Sequence, residues 1–228
     1  MRRILCAVFV LALAAWQAPP THAADAPPAS DEQKVVDAAR TALEELRTDK
    51  AMGETARDFI HKARAVLVVP RLVKAGFFLG GHGGSGVLLA RSGATWTSPC
   101  FYGVGGGSIG LQIGGEVSRL VLIIMSDKAL DAVMKDEFKV GAAAGITVVT
   151  IGAGGEASTT ANAGADIYAV AVSKGFYGGI ALEGAIMSPR DSWNKTYYRR
   201  DVTVQDIVIR NSVSNPGAAA LRAALAKF

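Results

Sequence analysis

A glycine-laced run between residues 74 and 115 constrains the fold of this chain more than any other feature. A Ser-Gly pair at residues 92–93 interrupts it once. A flexible linker would be rich in serine and poor in large apolar residues, whereas this run also holds aromatic and branched side chains such as Phe77, Phe78 and Ile109. Glycines among such residues are typical of strands that bend sharply or pass close to another backbone. The run therefore predicts the bent centre of an antiparallel sheet.

Amphipathic patterns before this run predict two helices. Residues 31–48 place apolar side chains on one face, and Ser30 precedes them as a capping residue. A second apolar stripe predicts a helix over residues 54–65. Residues 66–69 are rich in valine and predict a short strand, which Pro70 is expected to end because proline lacks a backbone donor.

The rest of the chain alternates between strand and helix patterns. Strands are predicted at residues 116–125, 139–155, 165–173 and 176–187, and helices at residues 127–135 and 218–227. Residues 202–210 fit either a short helix or a strand. Together these segments predict an α+β fold, in which N-terminal amphipathic helices pack on a strongly bent, glycine-rich antiparallel sheet or a small barrel.

The amino terminus has the pattern of a secretory signal peptide over residues 1–23. Arg2 and Arg3 form the basic region, residues 4–15 form the apolar region, and small residues around Ala23 form a cleavage site. The apolar region is too short to span a bilayer, and no cysteine follows it closely enough to accept a lipid anchor. The pattern predicts an exported protein.

The charge balance argues against a nucleic-acid partner. The chain has 24 basic and 20 acidic residues, a net charge of +4. Removal of the signal peptide takes away Arg2 and Arg3 and leaves a net charge of +2. A protein that binds duplex nucleic acid needs a basic stripe to neutralise phosphates, and this chain is too nearly neutral to supply one.

Motifs of enzymes occur in the chain, but each lacks its partners. Two Gly-x-Gly-x-x-Gly patterns, starting at Gly81 and Gly105, precede strand patterns instead of the helix that would meet a pyrophosphate. A Gly-x-Ser-x-Gly pattern around Ser108 has no histidine after the serine, as a hydrolase elbow requires. His82, between glycines, is expected in a loop or at a strand edge. The sequence predicts no catalytic residue, no metal site and no cofactor.

Seven blocks, in their order and spacing, closely resemble the SYLF domain. They include Gly-Gly-His-Gly-Gly-Ser-Gly, Trp-Thr-Ser-Pro and Gly-Leu-Gln-Ile-Gly-Gly. The blocks occupy residues 63–70, 74–77, 80–86, 96–99, 110–115, 173–176 and 182–184. The resemblance divides the chain into a signal peptide (1–23), a leader with the first helix (24–50), a SYLF-like domain (51–210) and a helical tail (211–228).

The resemblance implies a non-catalytic lipid-binding module. Eukaryotic SYLF proteins bind phosphoinositides and some bind actin, whereas bacterial ones are exported envelope proteins linked to anionic phospholipids such as phosphatidic acid. The chain resembles the bacterial type, although it lacks the lipid-anchoring cysteine of some members. The expected location is the periplasm or outer envelope, peripheral to a membrane. The alternative is an envelope module that binds a protein partner without lipid specificity.

A basic segment offers candidate lipid contacts. Residues 54–74 carry five cations against two acids, a net charge of +3. Each cation near an anionic leaflet contributes roughly 1 kcal/mol, so charge alone would bind only weakly and apolar contacts must add to it. The predicted lipid-binding residues are Arg57, Lys62, Arg64, Arg71, Lys74, Phe77 and Phe78.

Overall fold

Helices frame both ends of the described chain. The computed structural model describes residues 29–76, 79–109, 114–140, 146–151, 164–173 and 184–228. The predicted signal peptide and the aromatic pair Phe77 and Phe78 lie outside these residues. The helices are α1 (Asp31–Thr48), α2 (Gly53–Lys62), α3 (Asp127–Val133), α4 (Asp191–Tyr198), α5 (Val204–Val208) and α6 (Ala219–Leu225), with a 3₁₀ turn at Pro216–Ala218 before α6.

One mixed, mainly antiparallel sheet forms the centre of the molecule. Its strands are β1 (Ala65–Gly76), β2 (Leu79–Ser92), β3 (Thr95–Trp96), β4 (Cys100–Ile109), β5 (Gly114–Ile124), β6 (Phe138–Lys139), β7 (Val148–Ile151), β8 (Ile167–Ser173) and β9 (Ile186–Pro189). The order is β6-β9-β4-β2-β1-β5-β8-β7, with β3 paired to β2 and the β7–β8 pair parallel. The sheet curls strongly into a half-barrel, which confirms the predicted α+β fold with a bent sheet.

Both faces of the sheet are covered near the ends of β1 and β5 that meet at Ala65 and Ile124. On one face, here called the α1 face, Val66, Val68 and Phe101 pack with the helices α1, α2 and α6. On the other, here called the α3 face, Leu67, Tyr102 and Leu120 pack with α3 and α5. The alternation of these residues along each strand follows the two-residue period of β structure.

A bulge carries β1 past Pro70, so the prediction that this proline ends the strand is wrong. Val68 pairs with Val87 of β2 and Arg71 pairs with Ser85, so β1 has one residue more than its neighbour over this stretch. The same extra residue appears against β5. A proline is tolerated at a bulge because the ladder there does not need its missing N–H. The strand therefore continues to Gly76.

Other sequence predictions differ in detail. The helix predicted over residues 54–65 ends at Lys62, because the chain is already extended at Ala63. The open segment at 202–210 is a helix, since Thr203 and Asp206 form a capping box. The strand predicted at 139–155 is divided into β6 and β7, and most of the one at 176–187 lies outside the described residues.

Helix α4 was not predicted, and a buried amide anchors it to the sheet. The Asn194 Oδ1 atom accepts a hydrogen bond of 2.8 Å from the backbone N–H of Phe101, at the start of β4. Its Nδ2 atom lies 3.5 Å from the Cys100 sulfur. Asn194 is fully buried. Trp193 and Tyr197 of α4 also pack edge-on against the Phe101 ring, so the buried amide and these aromatic contacts together hold the helix on the sheet.

Replacing Asn194 by alanine is expected to destabilise the protein. The change leaves the Phe101 N–H buried without an acceptor, which costs about 1–3 kcal/mol. Chemical denaturation followed by circular dichroism would measure the loss. Thr196→Ala on the exposed side of α4 is the matched control and is expected to change the unfolding free energy by less than about 0.5 kcal/mol. Equal effects of the two changes would contradict the anchoring role.

Candidate functional site: an uncovered basic face of the sheet

The five predicted basic residues do not form one patch. Arg57 and Lys62 are exposed on α2, and Arg64 follows that helix. The Arg64 Nε atom donates a 2.7 Å hydrogen bond within an ion pair to the Asp127 Oδ1 atom. Lys74 lies towards the other end of β1, roughly 30 Å from Arg64 at about 3.3 Å per residue of strand. The five basic residues are therefore close in sequence but not close in space.

Arg71 and Lys74 lie on opposite faces of β1. Leu72 is buried in the core of the α3 face, and Lys74, two residues on, shares that face. Arg71 and Val73 therefore lie on the α1 face, where Arg71 is exposed. The segment thus presents one cation to each side of the sheet.

None of the described helices covers the far part of the α1 face. Val73 and Val117, register partners on β1 and β5, are 39% and 50% exposed. Directly opposed residues of an antiparallel pair have neighbouring side chains, so the two valines form one apolar spot. Ile209, elsewhere in the described chain, is comparably exposed at 55%. The spot is a candidate contact for a partner outside the chain.

Glycine residues extend this surface across β2 and β4. Gly83 is the register partner of both Val73 and Gly105, and Gly81 is the partner of Gly107. A Cβ atom added at Gly81, Gly83 or Gly105 would come no closer than 3.6 Å to another described atom, and one added at Gly107 would meet none within 4 Å. None of these four residues, here called the glycine floor, has a positive φ.

Neither close packing among the described residues nor an unusual backbone conformation therefore requires glycine in the floor. The absence of side chains there leaves the backbone accessible to a molecule from outside the chain.

Four cations border the floor on the same face, and are here called the basic rim. Arg71 and Arg119 lie at the β1–β5 side, and Lys139 is exposed beside Ile186, the β9 partner of Gly105. The fourth is Arg190, which follows β9. Of the four, only Arg119 has a carboxylate partner among the described residues, Glu45 of α1 at 2.8 Å. The floor and rim thus combine apolar surface with a net positive charge.

Arg190 is held in place rather than free in solvent. Its Nη1 atom donates a 2.6 Å hydrogen bond to the hydroxyl of Ser85, the register partner of Arg71. Its guanidinium carbon lies 3.6 Å from the centroid of the Trp193 ring. Such a stacked guanidinium keeps part of its edge available to an anion and loses little side-chain entropy on binding.

The sequence alone identified only Arg71 among the residues of this surface. Val73 and Val117 could have been found by continuing the strand through Pro70 and reading the alternation on both sides of the bulge. Lys139 and Arg190 come close to the glycine floor only because β9 pairs with β4 and β6. No local sequence pattern predicts that pairing. Phe77 and Phe78 lie outside the described residues.

The described residues give no sign of metal or thiol chemistry. No group of three His, Cys, Asp or Glu side chains in that part of the chain could hold a metal ion. Burial raises the pKa of the Cys100 thiol to about 12, so this group stays protonated at neutral pH and is a poor nucleophile. Of the helices described above, none has the length and apolarity needed to cross a membrane.

Comparison with known proteins identifies a family. Residues 105–228 match the family model described as Ysc84, Las17-binding protein actin regulator. SH3 domain-containing YSC84-like protein 1 of Rattus norvegicus is 33% identical over 151 residues, 65% of this chain and 44% of that protein. SH3 domain-containing protein PJ696.02 of Schizosaccharomyces pombe is 32% identical over 157 residues, 67% of this chain and 36% of that protein.

A third relative has the same partial overlap. LAS seventeen-binding protein 3 of Saccharomyces cerevisiae is 28% identical over 155 residues, 66% of this chain and 34% of that protein. The chain thus spans less than half the length of these three relatives. One of the three is named for binding LAS seventeen, and the family description names a binding protein and actin regulator. The chain belongs to the Ysc84 family, the SYLF-domain family that its glycine-rich blocks resemble.

Proposed function

We propose that this protein binds anionic phospholipid reversibly at the bacterial cell envelope, without catalysis. The observation that carries the proposal is the basic rim around the uncovered glycine floor. A phospholipid surface offers phosphate groups to the rim and apolar matter to Val73 and Val117. The predicted signal peptide at residues 1–23 supports a location in the periplasm or outer envelope.

The energetics favour weak, reversible binding. The rim carries four cations, and Glu45 offsets one of them, which leaves a net charge of about +3 and roughly 3 kcal/mol at an anionic leaflet. Burying the exposed parts of Val73 and Val117 adds about 1 kcal/mol for each side chain. The sum of about 5 kcal/mol corresponds to a dissociation constant near 10⁻⁴ M. Such a protein would sit on the membrane surface and leave it readily.

Co-sedimentation with vesicles tests this function. The protein is expected to sediment with vesicles that contain phosphatidic acid or phosphatidylglycerol and to remain in solution with phosphatidylcholine alone. Because exposed charges are screened by salt, binding should fall as sodium chloride is raised. The proposal would be overturned if the folded protein bound none of the three lipids, or if it bound phosphatidylcholine as well as the two anionic lipids.

The family description favours one second candidate, a module that binds a protein. One relative is named for binding LAS seventeen, and the family description names an actin regulator. An exported protein would not meet actin, so the candidate partner is an envelope protein that would use the same uncovered face. Co-purification of such a partner after complete removal of lipid, together with no vesicle binding, would favour this second function.

A further inference from the structure

The two ends of the strand order, β6 and β7, differ in how well they are protected against pairing with another chain. β6 is two residues long, contains Lys139 and follows Asp136 and Glu137. β7 has four residues, all of them valine, threonine or isoleucine. His82, for which its glycine neighbours suggested a loop or a strand edge, is in β2 between β1 and β4. The sheet edge of interest is therefore β7.

The segment around β7 contains none of the residues with which proteins usually protect a sheet edge. Charged side chains and prolines keep an edge strand from pairing with another chain. Between Lys139 and Glu156 the sequence has neither a charged residue nor a proline. The β-branched residues of β7 itself are among the best strand formers. This edge is thus suited to accept a further strand.

The pairing of β7 with β8 determines which backbone groups of β7 point outward. The Ile167 N–H donates a 3.0 Å hydrogen bond to the Thr147 carbonyl oxygen, and Ile167 is the register partner of Val148. In such a parallel pair, Val148 itself directs its N–H and C=O groups away from β8. Thr150, two residues on, does the same. No strand among the described residues pairs with this side of β7.

We propose that this edge of β7 pairs antiparallel with β7 of a second copy of the chain. With Val149 of both copies at a two-fold axis, Val148 of each copy lies opposite Thr150 of the other. Both residues have outward N–H and C=O groups, so each such pair exchanges the two hydrogen bonds of an antiparallel ladder. The edge is therefore complementary to itself, as a two-fold dimer requires.

A second copy fits this edge because its strand supplies what the edge lacks and nothing that opposes it. The register uses only residues of β7 and brings no charge to an uncharged edge. β-branched residues come together on the joined strands, where they pack well. The pairing does not depend on the proposed lipid function, because no residue of the basic rim belongs to β7.

Sedimentation equilibrium of the full chain tests the proposal. The measured mass should rise from 23.6 kDa towards twice that value as the protein concentration increases. The midpoint is expected at about 100 µM, because an interface of this small size binds weakly. A mass that stays at 23.6 kDa over the whole concentration range would overturn the proposal.

Two substitutions at one position test the hydrogen bonds. Thr150→Pro removes an outward N–H and should raise the dimer dissociation constant roughly thirtyfold, because the two-fold axis makes one change remove two hydrogen bonds. A proline whose missing N–H would face outward is tolerated on an edge strand, so circular dichroism should match that of the parent chain. Thr150→Ala keeps the N–H and should dimerise like the parent. Equal dimerisation of the two variants would overturn the assignment to β7.

A disulfide cross-link tests the register and does not rely on the proline variant. Opposite residues at a non-hydrogen-bonded position have Cα atoms about 4.5 Å apart, within disulfide reach. In a full-length chain with Cys6→Ser, Val149→Cys should therefore form a covalent dimer under mild oxidation. Thr95→Cys, at an exposed position of β3, is the control and should stay monomeric. Cys100 is buried and should not react. Equal cross-linking of the two variants would overturn the proposed register.

The dimer and the lipid function can fail separately. A chain that stays monomeric but sediments with anionic vesicles would remove only the dimer. A chain that dimerises through β7 but binds no vesicles would remove only the lipid function and support the pairing proposed here.

Discussion

Replacing Arg71 and Lys139 together by glutamate is expected to weaken binding to phosphatidic acid vesicles about a thousandfold. The double change alters the charge of the basic rim by four units, and each unit near an anionic leaflet contributes about 1 kcal/mol. A loss of about 4 kcal/mol is a factor of roughly a thousand in the dissociation constant. Both side chains are exposed, so the fold should survive the change. Co-sedimentation at low salt measures the effect.

Arg57→Glu with Lys62→Glu is the control for this experiment. It makes the same change in net charge on α2, where the sequence alone had placed part of the lipid site. The control should lower affinity by less than about tenfold, through the long-range field alone. A larger loss in the control than in the rim variant would move the binding surface to α2 and contradict the assignment to the sheet.

Gly86→Ala is expected to be among the most destabilising single changes in the sheet. Gly86 lies on β2 opposite the bulge of β1, and a Cβ atom there would be 2.7 Å from the carbonyl oxygen of Val68 and 2.9 Å from the Val69 Cγ2 atom. Neither neighbour can move freely, since one is backbone and the other is fully buried. Overpacking of this kind costs about 3 kcal/mol, which lowers the melting temperature by roughly 6–12 °C in a chain of this size.

Gly107→Ala makes the same chemical change at a position with open space. No described atom lies within 4 Å of a Cβ atom there, and the substitution removes conformational freedom from the unfolded chain. The melting temperature of this control should stay within about 2 °C of the parent protein. Similar losses at the two positions would show that the bulge does not press on Gly86. Differential scanning calorimetry gives both values.

The glycine-rich run was sufficient to predict a bent antiparallel sheet, because glycine among aromatic and branched residues is typical of strands that bend sharply. The helix at Asp31–Thr48 was predicted with its bounds, because its apolar period and its cap agree. The basic site was harder to predict. Arg64 and Lys74 looked adjacent in sequence, but an extended strand separates residues at more than twice the rise of a helix.

Long-range pairing explains most of what the sequence could not give. Arg190 reaches Ser85 because β9 joins the edge of β4, and Lys139 reaches the floor through β9 in turn. The importance of Pro70 was misjudged for a local reason. A bulge costs the sheet one hydrogen bond that proline could not have made, so the residue that usually ends a strand is tolerated within one.

The bulge at Pro70 also determines the shape of the sheet without changing which residues are buried. The extra residue of β1 lies at the same place in its pairing with β2 and in its pairing with β5. Val69 and Leu72, on the two sides of it, therefore still face the same core. A shorter strand without Pro70 would keep every later side chain on its present side. What the added residue supplies is twist, at the point where the helical layer stops. Proteins of this family that differ by one residue here would therefore share a core and differ in the curvature of the surface they present.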